Sequence, residues 1–242
     1  GLLSREDMDG IDLAWGNAEA IVDMVEKVAK REGFGAVLAD GTQKAAERIG
    51  KGAEKYAVAI RGKSLAFHDP RLSPALGTAN IADANPAHHM DSQITSMLNE
   101  GASIGPESVL QARKASPFAG YVIGSAYHQL LNAAGLCSLY TVATTPPPIA
   151  ELIAGACGWD FGWDEAMAAG RRILTLRQSF NTREGLTPDL FELPKRIAST
   201  AKVDFAALRN GYFAEMGWDP KTGKPSKESL AALGLADLTR DL

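Results

Sequence analysis

Apolar residues recur along this chain mostly at three- and four-residue spacing, the period of a helix with one face turned inward. Ile21, Val22, Val25, Val28 and Ala29 follow Asn17, a suitable cap, with Glu19 in the first turn where the helix dipole favours a carboxylate. Gly33 and Gly35 end that helix, and a second is predicted over 35–49, with Leu38, Ala45, Ala46 and Ile49 inward and Gly50 as its stop. Residues 56–60 alternate instead, and Arg61-Gly62-Lys63 turns them back toward Leu65 and Phe67. Residues 68–91, with His68, Asp69, Pro70, Pro74, Gly77, Asn85, Pro86, His88 and His89, read as irregular or only briefly helical, a surface or site-lining segment.

Ser92 suits the cap of a short helix through Ile94, Met97 and Leu98 to Gly101, and Pro106 the first turn of another ending near Ala115. A long apolar helix beginning near Pro117 turns Tyr121, Val122, Ala126, Leu130 and Leu131 inward until Gly135 stops it. Thr144-Thr145-Pro146-Pro147-Pro148 is a stiff linker into a helix over 149–156. Trp163-Asp164-Glu165 opens an amphipathic helix with Met167, Gly170, Ile173, Leu174, Arg177 and Phe180 on one face. A helix over 204–216, a turn over 217–223 and a short helix capped by Ser226 complete the pattern. The predicted fold is all-α and multihelical with at most one short β-hairpin near residues 56–67, divided into a helical domain 1–145 and a C-terminal helical domain 146–242. Without βαβ alternation or a Gly-x-Gly-x-x-Gly turn after a strand, a dinucleotide-binding domain is excluded.

Composition narrows the function classes. The 242 residues are 45% hydrophobic and 22% charged, as in a soluble globular protein with a sizeable core. A net charge of -4 gives no electrostatic case for nucleic acid, and pairs such as Lys30-Arg31 and Arg171-Arg172 read as solvated helix faces. The most apolar stretch, 119–137, is interrupted by His128, Gln129 and Asn132, so it reads as a buried helix rather than a membrane span. Cys137 and Cys157 form no disulfide framework and lack zinc-site spacing, which points to a reducing, cytoplasmic setting. The opening residues carry no apolar signal region and run directly into a motif, so the chain reads as a piece of a longer or processed protein. No Ser–His–Asp arrangement, P-loop or paired-carboxylate motif stands out, and the charges from Asp164 to Glu192 read as structural ion pairs.

Two short stretches carry the candidate chemistry. Asp7-Met8-Asp9-Gly10-Ile11-Asp12 and Asn132-Ala133-Ala134-Gly135-Leu136-Cys137 share the pattern [Asp/Asn]-x-x-Gly-[Leu/Ile]-[Asp/Cys]. A left-handed glycine frees backbone groups to face a ligand. A carboxylate three residues earlier accepts hydrogen bonds from ring amino groups, the edge a pterin presents. A cysteine just after the glycine suits one thiolate of an iron–sulfur cluster, which takes four. The same residues also suit ordinary glycine helix caps, with Cys137 a small buried hydrophobe; the residues alone leave both readings open. In the His88-His89 pair the two side chains point different ways, so at most one faces a given site, where it would move a proton near neutral pH; exposed loop histidines are the alternative. His128, one turn before Asn132, is either a supporting partner or a hydrogen-bonded helix histidine.

The segment from Gly1 to Asn17, Arg31-Glu32-Gly33-Phe34-Gly35, Ala45-Ala46-Glu47-Arg48-Ile49-Gly50 and Asp69-Pro70-Arg71 resemble the aldehyde ferredoxin oxidoreductase family. So do, in order, the run from His128 to Cys137, Gly170-Arg171-Arg172-Ile173, the stretch from Phe180 to Gly185, Leu193-Pro194-Lys195-Arg196, Gly217-Trp218-Asp219 and Leu233-Gly234-Leu235. The resemblance implies a tungsten (or molybdenum) bis-pterin enzyme with a [4Fe-4S] cluster, oxidising aldehydes to carboxylates with ferredoxin as electron acceptor; related members reduce aromatic acyl-CoA thioesters. It implies one pterin at Asp7, Gly10, Ile11 and Asp12, the other at Asn132, Gly135 and Leu136, Cys137 as the last cluster ligand, and His89 as the active-site histidine. The other three cluster ligands and a β-rich N-terminal domain lie outside this chain, which would be the C-terminal helical portion, inactive alone. The implied partners are that domain, ferredoxin and a small aldehyde or acyl-CoA substrate, with a homodimer allowed and neither nucleic acid nor membrane. Two positions depart from the family: Asn132 stands where an Asp is usual, and Asn85-Pro86 replaces an Arg-Gly before the histidine. A cofactor-free binding or assembly module is the alternative these departures favour.

Overall fold

Asn17 caps the first helix: its side-chain oxygen accepts the Ala20 N–H at 3.2 Å while its amide donates to the Asp12 carbonyl at 2.9 Å. The computed structural model describes residues 1–66, 68–88, 116–137, 148–240 and 242. Helix α1 spans Ala18–Lys30 and ends at Arg31, itself left-handed (φ 55°). Helices α2 (Gly33–Leu38) and α3 (Thr42–Ile49) follow, where one helix over 35–49 was expected. Gly41, at φ +90°, breaks them apart. A side chain on Gly35 would meet the Lys27 carbonyl carbon at 2.3 Å, so α2 lies directly against the backbone of α1.

The hairpin is present but short. Strands β1 (Ala59–Ile60) and β2 (Lys63–Ser64) pair antiparallel, Ala59 opposite Ser64 and Ile60 opposite Lys63. Arg61 and Gly62 both carry positive φ, as the tight two-residue hairpin turn requires. The stretch expected to be irregular or only briefly helical holds a nine-residue helix, α4 (Pro74–Ala82), with the Ser73 oxygen accepting the Leu76 N–H. Its apolar and small residues are buried almost all round, so it shows no amphipathic period for a sequence reading to find.

Helices α5 (Pro117–Ala133) and α7 (Trp163–Arg183) form the most extensive pair of the described residues. A Cβ on Gly170 would sit 2.1 Å from the Ala126 carbonyl oxygen, so the two backbones touch where the glycine stands. Helix α9 (Phe205–Glu215), capped by the Asp204 carboxylate, packs on both α4 and α5. The main core gathers Ile60, Ile81, Val122, Leu174, Phe191, Phe213, Met216 and Trp218. The Phe213 ring stands edge-on to Phe191 at 5.2 Å and lies 5.8 Å from Trp218. A second cluster joins Tyr127, Leu130 and Leu131 of α5 to Ile149 and Ala150 of α6 (Ile149–Cys157) and Ala166 of α7. Short helices α8 (Lys195–Ala198) and α10 (Lys227–Ala232) complete the α-helices of the described residues, α10 capped by Ser226 as expected.

Among the described residues the fold is mostly α with one short hairpin, as the pattern predicted. The faces were less well placed. On α1 the buried residues are Ala20 and Met24, whereas Ile21, Val22 and Val25 point outward. On α7 the buried row is Ala166, Gly170, Leu174 and Gln178, and Phe180 is exposed. The boundary expected at 145/146 lies outside the described residues, and the main core draws side chains from both sides of it. The helices expected over 92–101 and 106–115 also lie outside them. No helix among the described residues is long and apolar enough to cross a membrane.

Candidate functional site: two exposed glycine turns

The first turn closes a short 3-10 helix, Glu6–Met8. Asp9 (φ 57°) and Gly10 (φ 80°) are both left-handed, and the Gly10 N–H returns to the Arg5 carbonyl at 2.8 Å. Asp9 anchors the turn to the protein: its Oδ2 accepts the Phe34 N–H at 2.7 Å and the Lys27 ammonium at 3.3 Å. The Phe34 N–H is the main reason the Asp9 carboxyl lies below the usual carboxylate range. Asp7 plays the outer part. Its Oδ2 accepts the Ser4 N–H at 2.8 Å, the Ser4 hydroxyl at 3.1 Å and the Lys51 ammonium at 3.0 Å. Its Oδ1 accepts Lys51 alone, at 3.1 Å. The backbone N–H of Ser4, then Lys51, hold the Asp7 carboxyl low.

The second turn is a Schellman cap on α5. The Leu136 N–H reaches the Leu131 carbonyl at 2.9 Å and the Gly135 N–H the Asn132 carbonyl at 3.1 Å, with Gly135 at φ +74°. The two stretches therefore match in sequence but not in backbone. The six-residue closing bond falls on the glycine in the first turn and one residue later in the second.

Both turns are open to solvent. Asp7, Gly10 and Asp12 are exposed and Ile11 is half-buried; Asn132, Gly135, Leu136 and Cys137 are exposed. Cys137 is a free thiol on the surface, not the small buried hydrophobe that a simple helix cap allowed. Leu136 and Leu130 line a groove of about 660 Å³ with Ile149, Leu152, Trp159 and the other free thiol, Cys157. No hydrogen bond or ion pair among the described residues joins one turn to the other.

This donor set fits the edge of a pterin and one corner of a cluster. Gly10 and Gly135 have nothing within 4 Å of the position a Cβ would take, so a flat ring can approach either backbone. Asp7 keeps unused lone pairs on Oδ1, since a carboxylate offers about four acceptor sites. Among the described residues no group of three or more His, Cys, Asp or Glu side chains converges as a metal site. One thiolate from this chain therefore meets only part of a cluster's need.

His89 lies outside the described residues. The segment leading to it is tethered by side chains the sequence reading passed over. The half-buried Arg61 guanidinium donates to the carbonyls of Ile81, at 3.2 Å, and Asp83, and stacks 5.1 Å over the Phe191 ring. Burial pulls its pKa down to about 10, with Asp83 opposing. Lys63 donates to the Asn85 side chain, and Asn181 to the Ala84 carbonyl at 2.8 Å. Arg61 looked like an ordinary turn residue; no periodicity signals a side chain that folds back beneath another element. His128 is buried on α5.

Comparison with known proteins now bears on the same residues. A family model described as aldehyde ferredoxin oxidoreductase, domains 2 and 3, matches residues 1–235. The chain belongs to the aldehyde ferredoxin oxidoreductase family. It is 27% identical to the tungsten-containing aldehyde ferredoxin oxidoreductase of Pyrococcus furiosus, over 98% of this chain and 40% of that protein. It is 24% identical to the enzyme of the same name from Thermococcus kodakarensis, again over 98% and 40%. An aliphatic sulfonate oxidoreductase, WOR-like subunit, of Pyrococcus furiosus matches at 24% over the whole chain and 38% of that subunit. Among solved structures, the active-site complex of benzoyl coenzyme A reductase bound to 1,5-dienoyl-CoA shares the fold, with a TM-score of 0.75 and 20% identity over all of this chain and 42% of that one. The chain thus spans about 40% of the length of the curated relatives it matches.

Proposed function

We propose that this chain is the C-terminal helical portion of a tungstopterin, iron–sulfur oxidoreductase that oxidises aldehydes to carboxylates and delivers the electrons to ferredoxin. The observation that carries the reading is the pair of exposed glycine turns. Each offers an open left-handed glycine with a hydrogen-bonding side chain three residues before it, and one is followed by a free surface thiol. When bound, a tungsten or molybdenum bis-pterin supplies two-electron chemistry at the metal, and a [4Fe-4S] cluster relays single electrons.

The residues of this chain divide the remaining work. Asp7 and Asp12 accept ring amino groups at the first turn, and the Asn132 amide does so at the second with one acceptor and no charge. Gly10 and Gly135 let the rings approach the backbone, and Ile11 and Leu136 give them apolar contact. Cys137 supplies one cluster thiolate, with the other three ligands coming from outside the chain. His89 holds and moves a proton at the substrate, an aldehyde or, in a related chemistry, an acyl-CoA. The remainder of the protein would cover the apolar surface at Trp15, Ile21, Val22 and Val25, all strongly exposed here.

Metal analysis of the full-length protein after anaerobic purification tests this. Tungsten or molybdenum together with about four iron atoms per polypeptide is expected; absence of all three overturns the reading. That result would favour a cofactor-free binding or assembly module, the alternative suggested by Asn132 in place of a carboxylate.

A further inference from the structure

Lys51 stands on an unusual piece of backbone. Gly50, Lys51 and Gly52 have φ of 61°, 52° and 79°, three positive-φ residues in succession just after α3. Glycine adopts that conformation freely, but lysine does not. An exposed ion pair returns little stability, so the pairing itself offsets little of the cost of that conformation. The structure shows what the position achieves. The ammonium reaches back across the chain to both oxygens of Asp7, at 3.1 and 3.0 Å. Strain of this kind, once observed, points toward a functional site rather than away from one.

The geometry points to Lys51 as a positioning residue of the first cofactor turn: it fixes the rotamer of Asp7 so that Oδ1 faces a ring amino donor with its remaining acceptor sites open. This inference rests on the pterin reading above. Ser4 alone would hold Oδ2 and leave Oδ1 free to turn; Lys51 is the group that touches both oxygens. Its ammonium also offsets the charge of Asp7, as Lys27 does that of Asp9, at the site where an anionic cofactor would dock. Arg31 takes a similar left-handed position at the end of α1, but its guanidinium pairs with Asp40 rather than with a turn residue.

The test uses the full-length protein purified anaerobically with its cofactor, and Lys51→Met, Lys51→Arg, Asp7→Asn and the Asp7→Asn/Lys51→Met pair. The readout is the rate at which pterin appears in the filtrate after dilution, with helix content and thermal midpoint measured alongside. Lys51→Met is expected to release pterin about tenfold faster, the scale of a lost hydrogen bond to a charged group, with the thermal midpoint unchanged. Lys51→Arg is expected to restore most of the hold. In the double variant the two losses should not add, because Lys51 acts through Asp7. Wild-type release from Lys51→Met, additive losses, or a fall in thermal midpoint that accounts for the release would each overturn the inference. Wild-type protein that carries metal and pterin while Lys51→Met behaves normally refutes only the role of Lys51. Wild-type protein without pterin overturns the proposed function and the inference together.

Discussion

The carboxylate of Asp9 accepts the backbone N–H of Phe34 at 2.7 Å across 25 residues of chain. Gly33, beside it, is left-handed, and a Cβ there would lie 2.1 Å from the same carboxylate oxygen. The first turn is thus seated on the start of α2 by one acidic side chain fitted against a bare backbone. Asp9→Asn should lower the urea midpoint near neutral pH. The folded carboxyl lies below its ordinary value, chiefly through the Phe34 N–H. Its contribution is therefore complete above an unfolded pKa of about 3.9 and is lost as pH falls through the lower folded value. Urea titrations from about pH 7 to about pH 2.5 should show wild type and Asp9→Asn converging at the acid end; a gap that persists there would assign the effect to shape rather than charge.

Gly170 and Gly155 make a matched pair. A Cβ on Gly170 would press to 2.1 Å from the Ala126 carbonyl oxygen, backbone that cannot step aside without separating α5 from α7. Gly155, in α6, has nothing within 4 Å and no left-handed φ. Gly170→Ala should cost about 1–3 kcal/mol through overpacking, whereas Gly155→Ala should gain about 0.5–1 kcal/mol from helix propensity. Urea unfolding of the two variants decides it, and the signs should be opposite.

Phe213 is fully buried, with Phe191, Tyr212 and Trp218 around its ring. Phe213→Ala should lose about 3–5 kcal/mol, as large aromatic truncations in cores do. A loss under about 1 kcal/mol would mean the cluster relaxes into the space.

Much of this architecture was legible because helix caps are local. Asn17, Asp204 and Ser226 each satisfy an N–H three residues ahead, so the sequence marks their positions directly. The faces were harder. On α1, Ile21, Val22 and Val25 are apolar at helical spacing, yet Ala20 and Met24 make the buried contact. Periodicity reports that an apolar face exists, not which of two faces is covered by the residues at hand. Helix α4 was allowed for only as a brief helix somewhere in 68–91, because a segment buried on nearly every side carries no polar stripe to mark its position. At the candidate site the glycine turns could be read from spacing, but Lys51 and Arg61 could not. Each acts by reaching a distant element, Asp7 in one case and the end of α4 in the other. Only the fold reveals those distances.

The two thiols should behave differently in the full-length protein. Cys137 follows the Schellman turn of α5 and Cys157 ends α6; both are exposed and free. If Cys137 is a cluster ligand, as proposed, Cys137→Ser should remove about four iron atoms per polypeptide, because a cluster deprived of one of its four thiolates is not retained. Cys157→Ser should leave iron content unchanged. Equal loss from both variants would place the cluster contact on the groove between them rather than on the turn.

Asn132→Asp separates stability from cofactor binding by sign. Asn132 lies in the last turn of α5, where the helix dipole disfavours negative charge, and it is exposed. Introducing a carboxylate there should cost about 0.3–1 kcal/mol of stability. The same carboxylate would accept a ring amino group through a charged oxygen, a stronger hydrogen bond than the amide makes. If the second turn holds a pterin, Asn132→Asp in the full-length protein should therefore retain its cofactor longer while melting lower. A variant that melts lower and also releases cofactor faster would show that the amide is the better partner, with the second turn set for a differently oriented ring. Unchanged release would remove Asn132 from the cofactor site altogether.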